Sequence, residues 1–385
     1  MKIETFALER WMTTYELDVD YDITESGIYP MSIRDLLDLA SEPERDELID
    51  VVFGTRLGYS EAKGTRELRA ELASTYARTT DENVLVTTGA IEANFLLFNV
   101  LLEPGDHVVA IHPAYQQLYS VPRGIGCEVD LWRLTRESAF RFDLDGLERL
   151  VRPETRMIVI NTPHNPTGSA LTEDELARIY ALAEANDAWL LVDEAYRWLE
   201  LPGSPELAPP GRNLGDRVIS TGTFSKPFGL PGLRIGWLVA PEEIVQACWE
   251  LRDYITLSPG KLNDALAVFA LRHRDQVIAR NREIIVQNIG TIEGWLERNR
   301  DDVAWTRPAG GLLALLEYRL DIPSLELANR LAEEYSVMLA PGSAFEYEYH
   351  LRVGLGQRPD VFAAGLERAA ACFADLRAAG VGLRS

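Results

Sequence analysis

The chain has 385 residues, too many for one simple hydrophobic core, and two domains are expected. Lys and Arg number 38 and Asp and Glu 60, a net charge of −22 that argues against nucleic acid and anionic membrane as partners. With 46% hydrophobic and 25% charged residues, the composition is that of an ordinary soluble globular protein.

The opening MKIETFALERW has no apolar signal core and no long apolar run follows, so a cytoplasmic location is expected. Cys127, Cys248 and Cys372 show no CxxC spacing, and His107, His112, His164, His273 and His350 show no HxxxH spacing. Neither a disulfide framework nor a metal site is expected.

In chain order, residues 1–44 read as an N-terminal arm belonging with a small domain, and the run Ser41–Asp46 as a solvated helix face. A large α/β domain is expected over residues 45–280. Its candidate strands are Val84–Thr88, His107–His112, Glu128–Arg133, Met157–Asn161, Trp189–Asp193, Val218–Thr221 and Ile235–Ala240. Most lack strict alternation, as strands buried on both faces do. Helical patterns lie between them, the clearest opening at Thr172 with Glu175 three residues on, a capping box. This alternation predicts a mostly parallel sheet with helices on both faces. The Pro/Gly-rich stretch 201–213 reads as a surface excursion, and Pro241–Arg298 as long and helical. Residues 281–385 read as a small α+β domain, with strands at Gly310–Leu316 and His350–Gly354 and helices at Leu325–Tyr335 and Pro359–Ala378.

Three segments carry chemistry. Lys226 lies in Ser220-Thr-Gly-Thr-Phe-Ser-Lys-Pro-Phe-Gly, a hydroxyl- and glycine-rich turn after a strand, eight residues before Arg234. A lysine that forms a Schiff base needs such a rigid strand end. Thr223, Ser225 and Arg234 are suited to hold a nearby phosphate. Asn161-Thr-Pro-His-Asn-Pro-Thr-Gly168 follows one strand, and Asp193-Glu-Ala-Tyr196 ends another. Both fall at carboxyl ends of expected parallel strands, where ligands bind in open α/β sheets. Asp193 leaving an apolar strand is costly unless paired, and a protonated pyridine nitrogen is such a partner. Asn165 and Tyr196 can donate hydrogen bonds to a phenolic oxygen.

Together and in this order, these segments resemble the class I/II aminotransferase family of fold-type-I enzymes dependent on pyridoxal 5'-phosphate, and the likeness runs across the chain. The resemblance implies a large cofactor-binding domain with a mostly parallel central sheet, and a smaller α+β domain. It implies that Lys226 carries the cofactor as a Schiff base and moves the Cα proton, that Asp193 pairs with the ring nitrogen, and that Asn165 and Tyr196 hold the ring oxygen. Gly89, Ala90 and Ile91 would bind the phosphate at a helix N-terminus, with Thr223, Ser225 and Arg234 completing the cup. Tyr115 would stack on the ring. Tyr59 would reach the phosphate of a neighbouring subunit, making the protein a homodimer with shared sites. Arg352, in His-Leu-Arg-Val-Gly, would grip the substrate α-carboxylate.

The early segment Asp22-Ile-Thr-Glu25-Ser26-Gly27-Ile28-Tyr29-Pro30 departs from the Gly-rich, Pro-Asp pattern of ordinary members. It resembles a subgroup that includes capreomycidine synthase, a cyclase acting on hydroxylated arginine, whereas Tyr196 agrees with ordinary transaminases. The first expectation is therefore an aminotransferase acting on an L-α-amino acid and a 2-oxo acid. The alternative is a lyase or cyclase that eliminates water from a hydroxylated arginine. Gly27 and Glu25 are assigned to the substrate, Glu25 suiting a guanidinium; Tyr29, His164 and the stretch Tyr254–Ser258 are further candidates for biasing the branch. A non-catalytic regulator with the same fold is expected to lack Lys226, which is present here.

Overall fold

The computed structural model describes residues 2–384. Its strands are, in chain order, β1 (Tyr21–Asp22), β2 (Val84–Thr87), β3 (His107–His112), β4 (Glu128–Arg133), β5 (Thr155–Asn161), β6 (Trp189–Asp193), β7 (Val218–Thr223), β8 (Gly236–Val239), β9 (Val303–Trp305), β10 (Leu313–Tyr318), β11 (Val337–Met338), β12 (Ala340–Pro341) and β13 (His350–Gly354). Seven form one sheet in the order β2-β8-β7-β6-β5-β3-β4. Every residue of β2, β3, β6, β7 and β8 is buried, which is why their sequences do not alternate. β4, at the edge, exposes Glu128 and Arg133.

The sheet is parallel from β4 through β7, but β8 runs antiparallel to both of its neighbours. Here the expectation from simple strand–helix alternation needs refinement. No helix crosses between β7 and β8; the chain turns back, Thr223 pairing with Gly236 and Phe224 N donating to Ile235 O at 3.0 Å. One consequence matters for the site: Ser225, Lys226 and Arg234 all lie in this single returning loop.

The expected capping box is present. Thr172 N donates to Glu175 Oε2 at 2.9 Å, opening the helix Glu173–Ala185. Stretch 241–298 is three helices, Glu242–Arg252, Lys261–Arg272 and Arg274–Arg298. Ser258-Pro259-Gly260 lies at the end of the first break, and Gly260 is the N-cap of the helix that follows. Loop 201–213 folds back against the interior strands β6 and β7, Gly211 N donating to Glu194 Oε1 at 2.7 Å.

The second sheet is antiparallel, in the order β12-β13-β10-β9. Its strand β10 begins three residues later than expected. Gly310 and Gly311 spend their amides on Gly168 O and Leu199 O, tying this sheet to the first, and only then does the ladder start. The arm joins this second unit. β1 pairs in parallel with β11, and on helix Ala7–Tyr15 Trp11 Nε1 donates to Asn329 Oδ1 at 2.8 Å. Leu8, Trp11 and Ile23 share one apolar core with the C-terminal helices. Cys127, Cys248 and Cys372 are unpaired. No helix among the described residues is long and apolar enough to cross a membrane.

Candidate active site

A cavity of about 560 Å³ opens at the carboxyl ends of β5, β6 and β7, a volume suited to a cofactor-sized ligand. Its inner wall holds Asn161 and Asp193, the last residues of two strands, with Asn165, Tyr196 and Lys226 on the loops that follow. Asp193 is only 5% exposed. Its Oδ2 accepts from Asn94 Nδ2 and its Oδ1 from Ala195 N, each at 3.0 Å. Burial lifts its carboxyl to about 6, against the pull of those two donors. Both donors are neutral, so the carboxylate has hydrogen bonds but no counter-charge, and it fits a ligand cation such as a protonated ring nitrogen.

Asn94 was not legible as a site residue. It sits within the apolar helix Ala90–Leu101, where a polar side chain so close to the N-terminus was the available signal. Thr221 Oγ1 donates to Asn94 Oδ1 at 3.0 Å, which fixes the amide so that its nitrogen faces Asp193.

The same helix opens the anion end of the cavity. Gly89, at its N-cap, has φ +82°, and a Cβ there would lie 2.9 Å from Arg234 Nη2. Only glycine suits both that backbone and that approach. Gly89, Ala90 and Ile91 line the cavity together with Thr223, Ser225 and Arg234. Thr223 Oγ1 donates toward Ser225 Oγ at 3.0 Å, and Arg234 Nη1 donates to Pro231 O at 3.2 Å, leaving further guanidinium donors free. A helix N-terminus, two hydroxyls and an arginine fit a phosphate. Tyr115 lines the wall, its ring 4.9 Å from that of Phe6 and its hydroxyl 3.5 Å from Glu9 Oε1.

Lys226 Nζ donates to Ser26 Oγ at 2.7 Å and lies 3.8 Å from Glu25 Oε1. Burial lowers its pKa and Glu25 raises it. The net downward shift favours the neutral amine that attack on a carbonyl requires. Burial raises the pKa of the Tyr196 phenol, with Arg352 and then Ser26 pulling it back.

Arg352, on β13, is 1% exposed. Its Nη2 donates to Thr24 O at 2.9 Å and its Nη1 to Asn165 Oδ1 at 3.4 Å, while Nε has no partner. Among the described residues no carboxylate stands within ion-pair distance of it. A buried guanidinium so placed fits the anionic group of a ligand.

Other expected residues fall elsewhere. Tyr59 is 88% exposed and outside this chain's own cavity. Gly27 contributes backbone beside the cavity and not to its lining. Tyr29 and Tyr254 are exposed, and His164 is buried against Phe142 with Nδ1 at 2.7 Å from Thr167 Oγ1. None of these three lines the cavity. Thr256 is spent on Glu92. Conversely, Phe6, Glu9 and Arg10 of the arm helix and its approach do line it, as does Ser26.

Residues 31–368 match the model of the family described as aminotransferase class I and II, and the chain belongs to that family. It is 33% identical to capreomycidine synthase from Streptomyces vinaceus, over 92% of this chain and 90% of that protein. It is 27% identical to the arginine–pyruvate transaminase of Pseudomonas aeruginosa, over 85% of each. Among solved structures it resembles the PLP-dependent cyclase OrfR, with a TM-score of 0.88, 33% identity, and coverage of 97% of this chain and 98% of that one. The protein is thus a pyridoxal 5'-phosphate-dependent enzyme of the aminotransferase fold.

Proposed function

We propose that this chain is an aminotransferase acting on an L-α-amino acid with a basic side chain. The observation that carries the proposal is one cavity lined by a part-buried lysine and a buried aspartate without a counter-cation, with a buried arginine of unpartnered Nε directly behind the lining residue Asn165. Pyridoxal 5'-phosphate, when bound, would supply a protonated ring that withdraws electrons from the substrate's Cα. Asp193 holds that ring nitrogen protonated, and Asn94 and the Ala195 amide keep the carboxylate in place. Asn165 and Tyr196 would hold the ring oxygen, and Tyr115 would cover the ring face. Gly89, Ala90 and Ile91, with Thr223, Ser225 and Arg234, hold the phosphate.

Arg352 takes the substrate α-carboxylate and so orients the Cα–H bond. Lys226, as a neutral amine, would accept the Cα proton at Nζ. With Arg234 and Arg352 assigned to ligand anions and Asp193 to the ring, Glu9, which lines the cavity, and Glu25, 3.8 Å from Lys226 Nζ beside it, are the carboxylates left for a cationic side chain. Arg10 stands at the same rim. The name of the arginine–pyruvate transaminase relative agrees with such a substrate. Tyr59, exposed on this chain, serves the phosphate site of a second copy in a homodimer. The units served are a large domain at residues 45–280 and a small one formed by residues 281–385 with the arm 1–44.

A second reading is favoured by the departure at Glu25-Ser26-Gly27 and by likeness to a cyclase. If the substrate carries a hydroxyl on its side chain, the same proton removal leads to loss of water and ring closure by the guanidine. The test is a panel of amino acids, including L-arginine and 3- and 4-hydroxylated arginines, incubated in heavy water with product masses recorded. A keto acid with the cofactor left as its amine supports the aminotransferase. A product lighter by one water supports the cyclase. Rapid turnover of aromatic or aliphatic amino acids alone would remove the assignment of Glu9 and Glu25.

A further inference from the structure

We propose that Ser26 is a positioning residue for Lys226, an inference that rests on the site assigned above. The two residues are 200 positions apart, yet Nζ and Oγ meet at 2.7 Å. Neither partner has slack. The backbone around Ser26 is clasped on both sides: Gly354 N donates to Ile23 O at 2.9 Å, and Tyr29 N to Gly356 O at 2.7 Å. A Cβ on Gly354 would stand 2.0 Å from Glu25 O, and one on Gly356 2.1 Å from Gly27 O. The segment therefore lies directly on the backbone after β13, and Ser26 projects from it into the cavity. On the other side, Ser225 N donates to Thr223 Oγ1 at 3.1 Å, and the buried Asn281 holds Pro227 O at 2.7 Å, bracketing Lys226.

The contact is one the ε-amine makes when it is free to act as a base. Ser26 therefore marks where Lys226 waits. In that position the neutral Nζ takes the proton from the substrate's Cα, and the bonding electron pair stays with the substrate. The new ammonium donates one N–H to Ser26 Oγ, and the Ser26 hydroxyl can turn its own proton toward Tyr196. Charged groups around Nζ are Glu25, Arg352, Glu9 and Arg234, so the carboxylates and guanidiniums oppose each other. Ser26 is the neutral acceptor that fixes where the amine points. Without it a four-carbon side chain regains rotamer freedom, and the charged form loses a hydrogen bond in a low-dielectric site.

The test reads Lys226 directly in cofactor-free protein. Competitive labelling with trinitrobenzenesulfonate across pH, mapped by peptide mass, gives the apparent pKa of this one amine. Loss of the acceptor should lower it by about one unit in Ser26→Ala, and Ser26→Thr, which keeps the hydroxyl, should restore it. With cofactor added, Cα-hydrogen exchange of L-arginine in heavy water should fall about tenfold in Ser26→Ala and recover in Ser26→Thr. Borohydride trapping of the cofactor on Lys226 should be the same in all three proteins. An unchanged labelling profile in Ser26→Ala, or an equal shift in Ser26→Thr, would overturn the role. If the wild-type protein traps no cofactor on Lys226, the site assignment falls instead, and the labelling profile still judges Ser26.

Discussion

The two walls of the cavity are built in different ways. One is the carboxyl edge of the seven-stranded sheet, where Asp193 ends β6, Asn161 ends β5 and Lys226 follows β7 by three residues. The other is assembled from distant pieces: the arm helix with Glu9 and the Thr24–Ile28 segment with Ser26, backed by Arg352 on β13, which donates to Thr24 O and Asn165 Oδ1. On the first wall, fully buried strands fix the side chains, and the groups suit the cofactor. On the second, the groups suit the substrate, and their placement depends on the arm lying along the second sheet. This is also the wall whose Glu25-Ser26-Gly27 segment departs from the Gly-rich pattern expected of ordinary members of the family.

That division can be broken or sharpened by substitution. Lys226→Ala should abolish turnover, since Lys226 is the only lysine lining the cavity among the described residues. Asp193→Ala should slow Cα-proton exchange by at least ~100-fold while cofactor is still captured on Lys226, because an uncharged ring nitrogen is a poor electron sink. On the substrate wall, Arg352→Lys should raise KM by roughly 10- to 100-fold with a smaller change in kcat, since an ammonium cannot reproduce the two-pronged grip on a carboxylate. If Arg352→Lys instead destroyed cofactor capture, the two walls would not be separable.

The Tyr59 assignment has its own test. An equal mixture of Lys226→Ala and Tyr59→Phe chains, each impaired alone, should recover about a quarter of wild-type activity, because half the dimers would hold one intact site of two. Absence of recovery after chain exchange would return Tyr59 to the surface.

The smallest effect is on stability. In cofactor-free protein the Asp193 carboxyl titrates near 6, above its ordinary 3.8, so the folded chain holds the proton more tightly than the unfolded chain. Stability should therefore fall as pH rises from about 4 to about 6 and level off above, by at most ~3 kcal/mol from this group. Asp193→Asn should flatten that portion of the curve, readable by thermal unfolding from about pH 4 to about pH 7. Asp22 and Asp264 are shifted the same way, so the difference between proteins is the informative quantity.

The first wall was largely legible in sequence because its signals are local. An apolar strand ending in Asp193, and Asn165 and Lys226 in loops after strands, are each contained within a few residues. The antiparallel β8 was not, since an apolar run carries no direction. Asn94 was hidden because its partner Asp193 is 99 positions away, and Glu9 because nothing near it announces that the arm crosses the cavity. Ser26 appeared only as part of an unusual segment; its meaning depends on Gly354 and Gly356 lying against that segment.

The most direct measurement is to add pyridoxal 5'-phosphate to the purified protein, reduce with borohydride, and map the modified peptide. One cofactor per chain on Lys226, with none captured by Lys226→Ala, is the expected result. Capture on another lysine, or equal capture by the Lys226→Ala protein, would contradict the assignment of this cavity as the active site.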